Sequence, residues 1–282
     1  MKFKVGCEFN YQVSSNTTFI FNVNVAKSAN QTILEEHLNL EPNLNHEEYI
    51  DPNLENRYIR INVPSGNLSL SYHAIVDVIY EETNPTTINE VPIAKLPLEL
   101  LQYIYPSRYC QSDRLIRFAQ SEFGHLLPDY SRVTAICNWI YDNVTYLSGS
   151  SDQHTSAFDT VTERAGVCRD FAHLGIAFCR ALNIPARFAS GYAYQLQPPD
   201  FHAYFEAYLG DRWYLFDATR LAPRNGLIRI GTGRDAADIA FATIFGIAEM
   251  NQMKVEVDCL EPYSDSDCPE YTHQAISHQV FS

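Results

Sequence analysis

Cys168 stands in the segment Gly166-Val167-Cys168-Arg169-Asp170-Phe171-Ala172-His173, at the point where a helical pattern begins. A cysteine attacks carbonyl carbon as the thiolate, and a free thiol with a pKa of about 8.5 is mostly protonated at neutral pH. The N-terminus of a helix favours an anion, because its first N–H groups lack carbonyl partners and its dipole is positive there. Cys168 is therefore placed for nucleophilic chemistry, its backbone N–H is available to an oxyanion, and Gly166 permits a tight turn ahead of it. The competing reading of any free cysteine is a small buried apolar residue. Cys137 and Cys179, inside helical patterns, fit that reading.

A thiol nucleophile needs a base within hydrogen-bond reach, and the base needs a third group to orient it. His202 opens the strand pattern His202 to Leu209, and Arg212 to Asp217 reads as the next strand. If Gly210-Asp211 is a two-residue turn, Leu209 faces Arg212 and the same count sets Tyr204 opposite Asp217. His202 lies two residues from Tyr204 on the same face, so His202 and Asp217 become diagonal neighbours. Asp217 then accepts the imidazole N–H. As a strand-end residue it would merely start a turn with Ala218 and Thr219, which explains an aspartate but not its face. Three nearby polar residues are weaker candidates. His173 lies one and a half helical turns from Cys168 and faces away from it. Asp170 complements the dipole in the first turn. Glu206 shares the face of His202 but sits farther from the thiol.

The elements that must position these groups divide the chain. Residues 1–81 show period-two alternation: Val5 to Val13, Phe19 to Val25, Ile59 to Val63, Leu68 to Tyr72 and Val76 to Tyr80. Alternation of β-branched and aromatic residues predicts half-buried antiparallel strands, read here as a small β-sandwich. Residues 82–107, with Pro85, Pro92, Pro97 and Pro106, read as a linker packed on the next domain. Residues 108–257 switch to helical periodicity: a helix after Ser112-Asp113, one carrying Val133, Ile136, Cys137, Ile140 and Val144, and one from Cys168 burying Phe171, Leu174, Phe178, Ala181 and Leu182 up to Asn183-Ile184-Pro185. Residues 258–282 are polar and read as a loosely held tail.

The motifs, in this order, resemble those of the transglutaminase-like superfamily. They are Gly166-Val167-Cys168, Ser190-Gly191-Tyr192, His202-Ala203-Tyr204-Phe205-Glu206 and Trp213-Tyr214-Leu215-Phe216-Asp217-Ala218-Thr219. Asn183-Ile184-Pro185-Ala186-Arg187 belongs to the same run. Tyr105 to Tyr109 and Gly233-Arg234-Asp235-Ala236-Ala237-Asp238 resemble the bacterial branch, whose members carry an N-terminal β-domain. Tyr204 and Ala218 depart from the commoner Trp and Pro without touching the three chemical residues. The resemblance is dense from Ser107 to Gly246. It implies an α+β fold with a papain-like core, in which the cysteine helix packs on an antiparallel sheet bearing His and Asp. It further implies a catalytic triad of Cys168, His202 and Asp217, and a second oxyanion donor upstream of the cysteine. Trp139, Tyr146 and Gln153 are the candidates for that donor, with Trp139 reading as a core residue of its helix.

Composition narrows the rest. With 20 basic against 34 acidic residues the net charge is −14, so nucleic acid is not expected as a partner. The seven cysteines are odd in number and scattered, without CxxC pairs, so neither a disulfide framework nor a zinc site is expected. The sequons at Asn16, Asn30, Asn67 and Asn143 lack a secretory signal beside them. The N-terminus alternates instead of presenting an apolar leader, and no run spans a bilayer; a cytoplasmic protein without membrane contact, cofactor or metal is expected. The reaction expected is acyl transfer on a peptide or protein substrate. Cys168 forms a thioester that water or an amine resolves. Bacterial members are described as cysteine proteases, which puts peptide or amide hydrolysis first and protein-glutamine transglutamination second. A non-catalytic protein-binding scaffold is the rival of another class.

Overall fold

The computed structural model of the protein describes residues 1–260 and 269–279. The first part contributes β1 (Lys2–Val13), β2 (Thr17–Phe21), β3 (Gln31–Glu41), β4 (His46–Ile50), β5 (Arg57–Val63) and β6 (Gly66–Val78). The two last expected strands of this region are one, because Leu68 to Val78 keeps a single parity and every second residue from Leu68 is buried. A short strand, β7 (Glu81–Thr83), follows, and three brief 3-10 turns carry the proline-rich segment to Tyr103.

Next come α1 (Ser112–Phe123), α2 (Tyr130–Asn143), β8 (Thr145–Tyr146), α3 (Ala157–Glu163), β9 (Ala165–Gly166) and α4 (Cys168–Ala181). Four strands then form an antiparallel sheet: β10 (Ala186–Ala193), β11 (Phe201–Leu209), β12 (Arg212–Phe216) and β13 (Leu227–Gly233), in the order β12-β11-β10-β13. The chain continues as β14 (Ala242–Phe245), β15 (Ala248–Cys259) and β16 (Ala275–Ser277). The fold is α+β, a helix-and-sheet core preceded by an all-β part, as the resemblance implied.

Helix α4 was expected to bury one face; residues 170–181 are all buried. Its far side is covered by α1, α2 and α3, and Phe118, Trp139 and Phe178 pack there with ring centroids 5.2–5.5 Å apart. A helix enclosed on every side cannot tilt without breaking many van der Waals contacts, and that fixes its N-terminal residue. The α2 stripe of Val133, Ile136, Cys137 and Ile140 is buried as its spacing predicts.

Two expectations about boundaries are corrected. The β-sandwich does not close within residues 1–81: β15 pairs with β1 along nearly its whole length, and β14 pairs with β2. The two sheets run β15-β1-β6-β3 and β14-β2-β5-β4. The stretch 242–257, assigned to the second domain, thus completes the first, because β1 and β2 otherwise present unpaired backbone groups at a sheet edge. The tail is also held where it is described. β16 pairs with β7, and Ala275, Ile276 and Ser277 are completely buried, Ala275 in the helix-side core and Ile276 in the cluster behind the antiparallel sheet. The remainder of the expected tail, 261–268 and 280–282, lies outside the described residues. One apolar core joins the all-β part to the antiparallel sheet, since Tyr192, Ile228 and Ile230 pack with Phe3, Val5, Phe9 and Tyr72.

Candidate active site

Cys168 is the first residue of α4, and the turn before it is built by Asp170. The Asp170 carboxylate accepts the Val167 N–H at 2.9 Å and pairs with Arg169. Gly166 is required by close approach rather than by a turn: a Cβ there would lie 2.7 Å from the Asp170 Cβ. Asp170 is fully buried and serves to cap the helix, as its first-turn position suggested.

The β11–β12 hairpin has the register the two-residue turn predicts, with Leu209 opposite Arg212 and Phe205 opposite Phe216. It brings His202 Nε2 to 2.8 Å from Asp217 Oδ2, with both side chains at least 97% buried. Burial disfavours the imidazolium, yet the Asp217 charge and hydrogen bond, assisted by Cys168, outweigh it and raise the His202 pKa to about 10. Burial likewise opposes the Asp217 charge. The attraction of His202 and two hydrogen bonds from Thr219, N–H at 2.9 Å and hydroxyl at 2.8 Å, hold its carboxyl below the usual carboxylate value. The other imidazole nitrogen, Nδ1, has no hydrogen-bond partner among the described residues, and Cys168 is near enough to His202 to favour its charged form. The three residues singled out in the sequence are therefore neighbours, drawn from α4, β11 and the end of β12.

Thr219 was read only as part of a turn. Its signal was present in the Asp217-x-Thr219 spacing, in which an aspartate oxygen takes the N–H two residues on. Of the three candidates for a second oxyanion donor, Tyr146 stands at the thiol. Parallel pairing of β8 with β9 sets Tyr146 beside Gly166. Its hydroxyl lies near enough to feel the Cys168 thiol, and burial and the thiol together push its pKa up to about 12. Trp139 is packed among Phe118, Phe123 and Phe178, a core residue as its helix suggested. Gln153 is exposed and hydrogen-bonds the neighbouring His154.

The weaker candidates are occupied elsewhere. His173 is buried, stacks on Tyr109 with centroids 5.0 Å apart, and accepts the Ala236 N–H at 3.1 Å; burial and the nearby Arg169 and Arg180 keep its pKa low. Glu206 is fully buried between Arg187 and Arg229. The Tyr105–Tyr109 and Gly233–Asp238 segments meet on α4. Arg180 donates to the carbonyls of Tyr105 and Arg234 at 3.1 and 2.6 Å, and Asp235 accepts the Tyr109 N–H at 2.8 Å. These motifs clamp the helix that carries Cys168. Among the described residues no group of three or more His, Cys, Asp or Glu is arranged to hold a metal ion, and no helix is long and apolar enough to cross a membrane.

Residues 117–218 match the model of the transglutaminase-like superfamily, and residues 1–99 match that of the bacterial transglutaminase N-terminal domain. A solved structure from Cytophaga hutchinsonii is 48% identical, superposes with a TM-score of 0.93, and matches over 98% of this chain and 97% of that one. The chain belongs to the transglutaminase-like superfamily. The Cytophaga hutchinsonii protein is described as a "Putative Cysteine Protease". An uncharacterized protein of Mycobacterium leprae is 32% identical over 117 residues, 38% of this chain and 42% of that protein. One of Mycobacterium tuberculosis is 29% identical over 164 residues, 52% of each. The chain thus spans about half the length, or less, of these curated relatives. Members of this superfamily are generally enzymes.

Proposed function

We propose that the protein is a cysteine peptidase or amidase working by acyl transfer through Cys168, His202 and Asp217. The observation that carries this reading is the buried 2.8 Å His202–Asp217 pair set against a cysteine at a helix N-terminus. An imidazole held protonated at neutral pH by Asp217 is the charge state that stabilises a thiolate beside it. The Cys168 sulfur attacks the scissile carbonyl, and the oxygen takes the negative charge against the Cys168 N–H and the Tyr146 hydroxyl. His202 then gives its proton to the departing amine as the C–N bond breaks, leaving a thioester. Water attacks next, His202 takes its proton, and the acid leaves as the thiol is restored. Asp217 orients the ring and balances its charge throughout, with Thr219 fixing the carboxylate. An amine in place of water would give transamidation by the same steps. The description of the Cytophaga hutchinsonii relative favours water. The test is limiting iodoacetamide at about pH 6, well below the ordinary thiol pKa, with the labelled peptide located by mass spectrometry. Dominant labelling of Cys168 that disappears in His202→Ala is expected. Equal labelling of all accessible thiols would refute the activated pair and favour a scaffold.

A further inference from the structure

A cavity of about 470 Å³ has Asp217 in its wall and is lined by neither Cys168 nor His202. Its size is in the range of small-molecule sites. Phe216, Ala222 and the Tyr130 ring give it apolar walls. The C-terminal segment closes one side with Tyr271, Thr272 and His273. That segment is anchored there: Tyr271 donates to the Arg220 carbonyl at 3.1 Å, and Arg224 donates to the Thr272 and Gln274 carbonyls, each at 2.8 Å.

Two guanidinium groups line this cavity, and both are held by neutral acceptors. Arg224 bonds the Tyr130 hydroxyl at 2.8 Å and backbone carbonyls. Arg220 bonds the Asn138 amide oxygen at 2.6 Å and lies 4.0 Å over the Tyr141 ring. Among the described lining residues the one carboxylate, Asp217, is already engaged by His202 and Thr219. Among the described residues, neither arginine forms a salt bridge. In a chain with 34 acidic and 20 basic residues, two cations sharing a cavity without a carboxylate of their own among the described residues make its described lining electropositive, and planar guanidinium suits a carboxylate.

We infer that this cavity binds a carboxylate carried on a small apolar or aromatic body. Arg220 at the rim receives the carboxylate, and the apolar part lies on Phe216 and Ala222. The same chemistry could arrive as a free small acid or as the carboxylate of a peptide.

The test is a ligand-observed NMR titration of the intact protein with 3-phenylpropionate and with its neutral isostere, 3-phenylpropionamide. The acid is expected to bind about tenfold or more tightly than the amide, the value of a charge-assisted hydrogen bond. Arg220→Gln should abolish that preference, and Arg220→Lys should keep part of it. Two peptides separate the sources. Preference for N-acetyl-Ala-Phe with a free C-terminus over a Glu-containing, C-terminally amidated peptide identifies a chain end. The reverse identifies an acidic side chain, and binding of 3-phenylpropionate alone identifies a free acid. Equal affinity for acid and amide, a preference unchanged in Arg220→Gln, or no binding by any of these carboxylates overturns the inference. None of these readouts requires Cys168 to be catalytic, so their outcome is separate from that of the labelling test.

Discussion

Replacing Glu206 by Gln should unfold the protein far more readily while leaving every proposed catalytic residue in place. Glu206 is completely buried on β11, opposite Arg187 in the β10–β11 register, and its two oxygens are shared between Arg187 and Arg229. The arginine side chains are only 14% and 11% exposed. Removing the carboxylate strands two guanidinium groups in a place water hardly reaches, and uncompensated buried charge of this kind costs about 3–5 kcal/mol. That is a large part of a typical stability of about 5–15 kcal/mol. Burial works against the Glu206 charge, but the arginines win and push its pKa down to about 2, against about 4.3 in an unfolded chain. A depressed carboxyl pKa gives stability that is present above the unfolded value and is lost as the pH falls toward about 2. His278, buried in the same cluster, is held neutral, its pKa pushed down to about 3 by burial, with Arg229 and Arg187 adding to it. Its contribution drains in the same direction, beginning nearer its ordinary value. Urea denaturation of wild type and Glu206→Gln from pH 7 to pH 3 should show a gap of several kcal/mol at pH 7 that narrows in acid. Arg187→Met with Glu206→Leu and Arg229→Met together should recover most of the loss, because no charge is then left unpaired. A Glu206→Gln protein within about 1 kcal/mol of wild type at pH 7 would refute the argument.

Tyr146→Phe removes a hydroxyl from the proposed oxyanion position and should lower kcat by about 10²-fold or more with little change in KM; steady-state kinetics on a cleaved peptide, with Cys168 labelling retained, checks it. Gly175→Ala inserts a Cβ 2.5 Å from the Phe205 ring, so thermal denaturation should show an overpacking cost of about 1–3 kcal/mol. Because the clash is between α4 and β11, activity should fall as well at temperatures where the variant is fully folded.

The candidate site was legible because each of its parts obeys a local rule. The position of Cys168 follows from where the helical period starts. The meeting of His202 and Asp217 follows from a two-residue Gly210-Asp211 turn, whose register transmits one parity to both strands. What sequence reasoning missed is what local rules do not encode. Strand β4, His46-Glu47-Glu48-Tyr49-Ile50, is exposed at every residue, so it has no alternation to read. Strand β3 lies at a sheet edge and buries only Gln31 and Leu40. The Glu206 partners sit on different strands, and their pairing appears only when β10, β11 and β13 are laid side by side. The C-terminal segment looked loose because its neighbours are polar. Ala275 and Ile276 are too short a run to signal a strand, though both are completely buried, one in the core on each side of the sheet.

The return of the chain to its first sheets bears on how the parts can be separated. Strand β1 is paired on one side with β6 and on the other with β15, eleven residues of β1 being matched to the latter. A fragment ending at residue 81 would therefore leave β1 as a bare edge strand, and β2 would lose β14. Exposed edges with apolar side chains such as Phe3, Val5, Phe9 and Phe19 are templates for pairing between chains. Residues 1–81 produced alone should aggregate. A version in which 242–259 is joined to them through a flexible linker should remain monomeric in size-exclusion chromatography and give a sigmoidal melt. If the 1–81 fragment is itself monomeric and melts cooperatively, β14 and β15 are not needed to close the sandwich, and the coupling between sandwich and antiparallel sheet must rest on the shared core around Tyr192, Ile228 and Ile230 alone.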